Sequence, residues 1–224
     1  MDKFKTRHKS EIWLDNELEK ENSIIDIGFG LLSQSVSVLE RISREQETEE
    51  DGKFFLIGSI SLAKSCHLLL GCYSLTLDGL GQEAGALLRP LIEVYELLIY
   101  LRDDKERVHE AISGNLPKAG EIAKKISGMF EDLRKYLNDT SSHFGYKLDS
   151  VTHLLDFNNV LISAYPIHDL STFRKNLTMI NVFQLFLIKE AAFWLDMAKN
   201  DNNELLDIMV SFIYSSMDIF SEET

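Results

Sequence analysis

The sequence predicts an all-α protein, a single domain over residues 1–224 built as an antiparallel bundle of about seven helices. Leucine occurs 33 times and valine 8 times, which favours helices over buried strands. Only 3 prolines and 12 glycines interrupt the chain, too few for the frequent turns of a barrel or sandwich of short strands. Apolar residues also recur at spacings of three and four, the period of an amphipathic helix.

The first nine residues are basic, and they lack the apolar run that follows the charged start of a signal peptide. We therefore expect residues 1–9 to form a flexible N-terminal tail. Its cationic side chains are Lys3, Lys5, Arg7 and Lys9.

A first helix is predicted from Ser10 to beyond Leu39, because the apolar side chains between them recur on one helical face. Gly28 and Gly30 are expected to bend this helix or to split it. Residues 43–53 are charged and lack apolar anchors, so we predict a loop there.

The segment 54–77 is apolar nearly all round, as a central bundle helix should be. Lys64 and His67 stand near its middle, and a charge at the centre of a bilayer costs about 3 kcal/mol. We therefore interpret this segment and the similarly apolar 177–195 as core helices, not membrane spans. The sequence Asp-Gly-Leu-Gly predicts a turn at 78–81.

Residues 82–101 have a helical pattern that contains Pro90, which cannot donate a hydrogen bond to the carbonyl of Ala86. Either the helix bends at this proline or a new helix starts there. The polar residues 102–117 predict a short helix and a turn, and 118–137 predict one helix.

The C-terminal third begins with a polar run, 138–149, for which we predict a loop or helix junction. A shorter helix at 151–164, stopped by Pro166, and a long helix at 170–199 follow. A last helix is predicted at 204–220. No internal repeat or domain linker is evident.

The overall charge restricts the class of partner. The formal net charge is −13, which opposes a broad nucleic-acid-binding surface because phosphate affinity comes from clustered Lys and Arg. Cys66 and Cys72 are six residues apart, which is neither a CxxC motif nor a helix-neighbour spacing, so we expect buried thiols. These features favour a cytoplasmic protein without a membrane partner.

The helix around Pro90 carries a polar stripe on an otherwise apolar rod. Arg89, Glu93, Glu96 and Tyr100 fall at i, i+4, i+7 and i+11, and the first two are spaced to pair. One interpretation is a buried polar pocket, because an unpaired charge inside an apolar helix is costly. The alternative is a structural ion pair or simply the solvent face of the helix.

A second polar cluster lies at 138–143, Asn-Asp-Thr-Ser-Ser-His. His143 is a candidate general acid or base, with Asn138 or Asp139 to orient it. The alternative is that Asn138 or Asp139 caps the next helix, the serines fill a turn, and His143 has no chemical role.

Two further patterns could suggest a metal, but each has a simpler interpretation. Glu106 and His109 form one E-x-x-H motif, whereas a di-iron bundle needs two such motifs and further glutamates. We therefore interpret Glu106 and His109 as part of a solvent-exposed helix face. His168 and Asp169 form an HD pair in which Asp169 is better explained as a helix cap. We therefore predict no metal and no cofactor.

The run LLGCYSLTLDGLGQEAGALLRPLIEVYELLIYL, followed by LNDTSSHFGY, resembles a family of uncharacterised bacterial all-helical proteins. Its members carry an LLR-x-x-x-E helix and then a Leu-polar-polar-x-x-x-His segment, and the family is grouped with HEPN-like domains. The resemblance covers about 60 residues. It implies that Arg89, Glu93 and His143 are the matching site residues. HEPN ribonucleases place an Arg four to six residues before the His, where this chain has Asn138.

HEPN-like proteins include RNA-cleaving toxins and phage-defence components, and they are often dimers. The resemblance therefore implies a helical interaction or regulatory module, defence-associated, that binds a protein partner or itself. The alternative is a metal-independent RNA endonuclease, in which His143 is the general acid/base and Arg89 stabilises charge on the phosphate.

Overall fold

The computed structural model describes residues 3–142, 155–156, 161–162, 168–198 and 203–221. It confirms the all-α class, with nine α-helices in these ranges where the sequence predicted about seven. The helices are α1 Lys3–Asn16, α2 Glu19–Glu45, α3 Glu49–Leu77, α4 Gly81–Asp103, α5 Val108–Ile112, α6 Ala119–Lys125, α7 Glu131–Leu137, α8 Leu170–Met197 and α9 Asn203–Ser221. A 3₁₀ turn, Lys105–Arg107, precedes α5, and a π-helical turn, Asn138–Ser142, follows α7.

The expected N-terminal tail is instead the start of α1. Thr6 and Ser10 are buried, and Arg7 reaches the end of α3, where it donates to the Oγ of Ser74 at 3.1 Å. Its guanidinium also lies 3.4 Å from the carboxylate of Asp78. Residues 3–9 are helical, and Arg7 and Lys9 have tertiary partners, which no local pattern shows.

The first predicted helix is two helices, and the break does not fall at the glycines. The chain turns between α1 and α2, where the amides of Glu17 and Leu18 both donate to the carbonyl of Trp13. Gly28 lies inside α2 because its backbone packs closely on α8. A Cβ at this position would lie 2.3 Å from the Oε1 of Gln184. Gly28 therefore allows α2 and α8 to pack closely, and it does not bend α2.

The predicted loop at 43–53 is much shorter, because α3 begins at Glu49. Thr48 caps that helix. Its Oγ accepts a hydrogen bond from the amide of Asp51 at 3.1 Å and donates to the Asp51 carboxylate at 2.8 Å. Thr48 is thus an N-cap residue whose side chain satisfies one of the first free amides of the helix. The charged residues after Thr48 are thus the first turn of α3.

Helix α4 is continuous through Pro90, so the proline does not start a new helix. The predicted turn before it is confirmed, with Gly79 at φ 78°. The segment predicted as one helix at 118–137 is divided into α6 and α7. Ser127, at φ 51°, interrupts the helical hydrogen bonding between them.

The helix predicted at 151–164 is wrong for the four residues there that the structure describes. Leu155–Asp156 (β1) pairs antiparallel with Leu161–Ile162 (β2), with Leu155 opposite Ile162. The remainder of that prediction lies outside the described residues. The predictions for the last two helices are confirmed by α8 and α9.

The chain forms two compact units. The first comprises Met1–Ser23, Leu68–Ile92 and Phe130–Val182. Its core contains Leu18, Leu69 and Leu177, all fully buried. The ring of Trp13 packs against Phe173 at 5.6 Å between centroids, which joins α1 to α8.

The second unit comprises Ile24–His67, Glu93–Met129 and Phe183–Thr224. Phe54 of α3 stacks on Trp194 of α8, with 4.5 Å between ring centroids. Gly58 permits this approach, because a Cβ there would lie 2.4 Å from the Trp194 ring. Helix α9 is attached through Met209, whose Sδ accepts a hydrogen bond from Ser35 of α2 at 3.7 Å.

Three of the described helices, α2, α3 and α8, are long and apolar enough to cross a membrane by length and composition. The protein itself buries 39%, 44% and 56% of their most apolar windows, respectively. The sequence-based interpretation of α3 and α8 as core helices stays a prediction.

Candidate functional site

Of the loop or helix junction predicted at 138–149, the structure describes 138–142, which continue directly from α7. Asn138 is the C-cap of α7 with helical φ −61° and ψ −47°, and Asn138–Ser142 continue as a π-helical turn. Asn138 is half-buried and Asp139 is exposed. Because π-helical turns are rare and are frequently found at functional sites, the conformation distinguishes this segment from an ordinary surface turn.

Helix α4 lies directly against this π-helical turn. A Cβ at Gly85 would lie 2.7 Å from the Oγ and 3.1 Å from the Cβ of Ser141. Arg89 is on the same face of α4, one turn further along. The fold therefore brings the helix that carries Arg89 next to the turn that carries Asn138 and Asp139. His143 lies outside the described residues.

The predicted stripe on α4 differs along its length. Arg89 and Glu93 are half-buried, whereas Glu96 and Tyr100 are each only 1% exposed. Tyr100 has several polar partners in the second unit. Its hydroxyl donates to Glu110 at 2.8 Å and accepts from Lys125 at 3.2 Å. Tyr100 is thus the buried member of a polar network in which Glu110 is half-buried and Lys125 is exposed.

A second polar network, around a buried glutamate, was not found from the sequence. Glu190 of α8, 2% exposed, accepts a hydrogen bond from the Nε of Arg102 at 2.6 Å. Burial raises the pKa of Glu190, and the Arg102 guanidinium opposes that rise. Burial, together with the charge on Glu190, raises the pKa of Tyr95 to about 12. The signal that could have found this network was a glutamate within the apolar run LFLIKEAAFW.

A serine and a histidine meet in the first unit. The Oγ of Ser10 lies 2.7 Å from the Nε2 of His168 and 2.8 Å from the carbonyl oxygen of Leu77. Because the carbonyl at the end of α3 can only accept, we assign the serine proton to Leu77 and the Nε2 proton to His168. Ser10 is 0% exposed, so no substrate reaches its hydroxyl. The pair therefore connects α1 to the segment that leads into α8 and does not form a nucleophilic site.

Asp169 is the helix cap that the sequence predicted. Its carboxylate accepts from the amide of Thr172 at 2.9 Å and from the Thr172 hydroxyl at 2.8 Å. Burial lowers the pKa of the neighbouring His168, and the positive charge of Lys9 lowers it further. The histidine and the aspartate thus have separate structural roles.

The described residues contain no group of three or more His, Cys, Asp or Glu side chains arranged for a metal ion. His109 is exposed and lies 3.7 Å from the carboxylate of Glu106, in agreement with a solvated face. Cys66 and Cys72 are both free thiols, half-buried and buried respectively. Burial raises the pKa of Cys66 to about 11 and that of Cys72 to about 12, so neither is a reactive thiolate.

An apolar surface on α9 is the other candidate site. Val210, Tyr214 and Met217 are 47%, 70% and 58% exposed and follow one another at i, i+4 and i+7. This spacing places them on one face of the helix, which we call the α9 face. Leu205 and Met209 are buried on the opposite side. Helix α9 is therefore apolar on both sides, although only one of them contributes to the core.

These features define an all-α protein with two polar networks, each around a buried side chain, a polar turn beside α4 and an exposed apolar helix face. Comparison of the chain with protein-family models, curated proteins and solved structures found no match.

Proposed function

We propose that the chain is a helical interaction module of HEPN-like type that binds a protein partner, or a second copy of itself, through the α9 face. The observation that carries this proposal is the exposure of Val210, Tyr214 and Met217 along one side of α9. The resemblance of 69–101 and 137–146 to HEPN-like domains supports a regulatory role of the defence-associated kind.

The energetic argument concerns the cost of leaving these side chains in water. Burying a large apolar side chain gains about 1.5–3 kcal/mol. Tyrosine and methionine are also enriched in protein interfaces, where tyrosine combines a large apolar ring with a polar tip. A helix that uses one apolar side for its own core and leaves the other uncovered is suited to binding.

The test is the mass of the particle in solution and the effect of Tyr214→Ser on it. Light scattering at micromolar concentrations shows whether the partner is a second copy. A particle larger than the 25.6 kDa chain that Tyr214→Ser returns to the monomer would assign the α9 face to self-association, and a monomer would assign it to a different protein. Ile27→Ser is the matched control, since Ile27 is 49% exposed on α2. A Tyr214→Ser variant that loses as much stability as a core variant, about 3 kcal/mol, would show that the α9 face belongs to the core and would end the proposal.

The second candidate function is the metal-independent RNA endonuclease, with His143 as general acid/base. The specific observation in its favour is the approach of Gly85 to Ser141, which places the helix of Arg89 beside the polar turn that precedes His143. Arg89 would stabilise the developing charge on the phosphate. Net charge and the asparagine at position 138 make this the weaker candidate.

Cleavage of a short single-stranded RNA in the presence of EDTA tests this second function. We expect His143→Ala to lower the cleavage rate by at least about a hundredfold, the lower end of the range for general acid–base catalysis. Arg89→Lys should retain part of the parent's cleavage rate, because lysine keeps the positive charge. His8→Ala is the control, because His8 is exposed on α1. Equal rates for the parent and His143→Ala would exclude His143 as the catalytic group.

A further inference from the structure

The charge around the α9 face indicates what binds there. Asp207 and Asp218 are exposed on the same side of the helix as Tyr214, at seven residues before it and four after it. Glu204 is also exposed, one turn before Asp207. Helix α9 contains no Lys, Arg or His from Asn203 to Ser221. Exposed carboxylates therefore lie beside the apolar residues of the α9 face.

We infer that the occupant of the α9 face is a basic amphipathic helix of a partner protein, an inference that rests on the proposed function. An amphipathic helix lays its apolar side in an apolar surface, and Lys and Arg at its margins would meet Asp207 and Asp218. Met217 suits this class of partner, since its flexible thioether adapts to different apolar side chains.

A second copy of the chain complements this face less well. Each copy has a formal net charge of −13, and two α9 helices packed together would bring their own carboxylates close. At physiological ionic strength charges are screened only beyond about 8 Å, so carboxylates in contact across an interface still repel. The same apolar residues with cations opposite them avoid this cost.

The experiment uses the full chain and a synthetic probe. The probe is a fluorescein-labelled amphipathic peptide of about 18 Leu and Lys residues, long enough to form a helix on binding. A peptide of the same composition, scrambled so that it has no apolar face, controls for attraction between a basic peptide and an acidic protein. Fluorescence anisotropy measures the Kd of each.

We expect the amphipathic peptide to bind at least about tenfold more tightly than the scrambled one, and Tyr214→Ser to remove that advantage, as loss of an interface aromatic does. Asp207→Asn with Asp218→Asn should weaken binding and reduce its dependence on salt. Ile27→Ser and Asp26→Asn, at exposed positions of α2, should leave the Kd within about twofold, as substitutions outside an interface do.

Equal affinity for the two peptides, or equal losses in the α2 controls, would overturn the inference, since either result reports charge attraction alone. A dimer that Tyr214→Ser dissociates, without peptide binding, would assign the face to a second copy and leave the proposed function intact. Sedimentation with phosphatidylcholine vesicles that Tyr214→Ser abolishes, without peptide binding, would assign it to a lipid surface and overturn both proposals. A monomeric protein that binds neither peptide would also overturn both the proposed function and this inference.

Discussion

Glu190 and Arg102 form an ion pair in which the carboxylate is almost completely buried. The Oε1 of Glu190 lies 2.6 Å from the Nε of Arg102, and the two side chains are 3% and 24% exposed. The guanidinium also lies over the ring of Phe193, 4.7 Å from its centroid. The pair thus connects α4 to α8 in the second unit through a charge that would be costly without its partner.

Removing the arginine should therefore destabilise the protein strongly. We expect Arg102→Ala to lower the free energy of unfolding at pH 7 by about 3 kcal/mol, because it leaves a buried carboxylate without its cation. Chemical denaturation measures the difference. Arg44→Ala is the matched control, since Arg44 pairs with Glu40 on the surface of α2 and such pairs contribute about 0.5 kcal/mol or less.

The decrease in the free energy of unfolding caused by Arg102→Ala should also depend on pH. Burial raises the pKa of Glu190, so the folded state disfavours the ionised form. The contribution of Glu190 to the free energy of unfolding is therefore fully present below its ordinary pKa of 4.5. It is lost as the pH rises through the higher pKa of the folded state. The deficit of Arg102→Ala should therefore be smaller at pH 4 than at pH 7. A deficit that is the same at both would mean that Glu190 is not the group left unpaired.

His168 should make the protein less stable in mild acid. Burial and the charge of Lys9 lower the pKa of His168 below its ordinary 6.5, and the charge of Asp169 opposes this shift. The unfolded chain then binds a proton at a higher pH than the folded one does. The contribution of His168 to the free energy of unfolding is fully present above pH 6.5. It is lost as the pH falls through the lowered pKa of the folded state.

The measurement is the free energy of unfolding of the parent and His168→Gln from pH 8 to pH 5, a range that spans the ordinary pKa of histidine. The parent should lose stability relative to the variant as the pH falls. His8→Gln, at an exposed histidine of α1, is the control and should follow the parent. A constant difference between the parent and His168→Gln would show that His168 titrates normally.

Gly85 should tolerate no side chain while Ser141 remains. An alanine there would place its Cβ 2.7 Å from the Ser141 Oγ, and overpacking of this kind costs about 1–3 kcal/mol. Gly30→Ala is the control: a Cβ on Gly30 of α2 would meet no atom within 4 Å, so this variant should gain up to about 1 kcal/mol from helix propensity. Adding Ser141→Gly to Gly85→Ala should recover most of the loss, and no recovery would contradict close packing at this point.

Local patterns along the chain were enough to predict the fold class and the two C-terminal helices. Apolar periodicity predicted α8 and α9 closely, because their pattern is local and long. The Asp169 cap was predicted for a similar reason, since its partner Thr172 is three residues away. The exposed Tyr214 could not be predicted in this way, because both sides of α9 are apolar and the pattern does not show which side the core covers.

Which polar residues meet could be learned only from the folded chain. Arg102 and Glu190 are 88 residues apart, and Ser10 and His168 are 158 apart, so no spacing rule connects them. Gly28 looked like a helix break, but its role depends on Gln184, a residue on another helix. Helix propensity and capping act over a few residues and can be read from the chain. Burial, ion pairing and close packing depend on which helices become neighbours, and that is settled only when the chain folds.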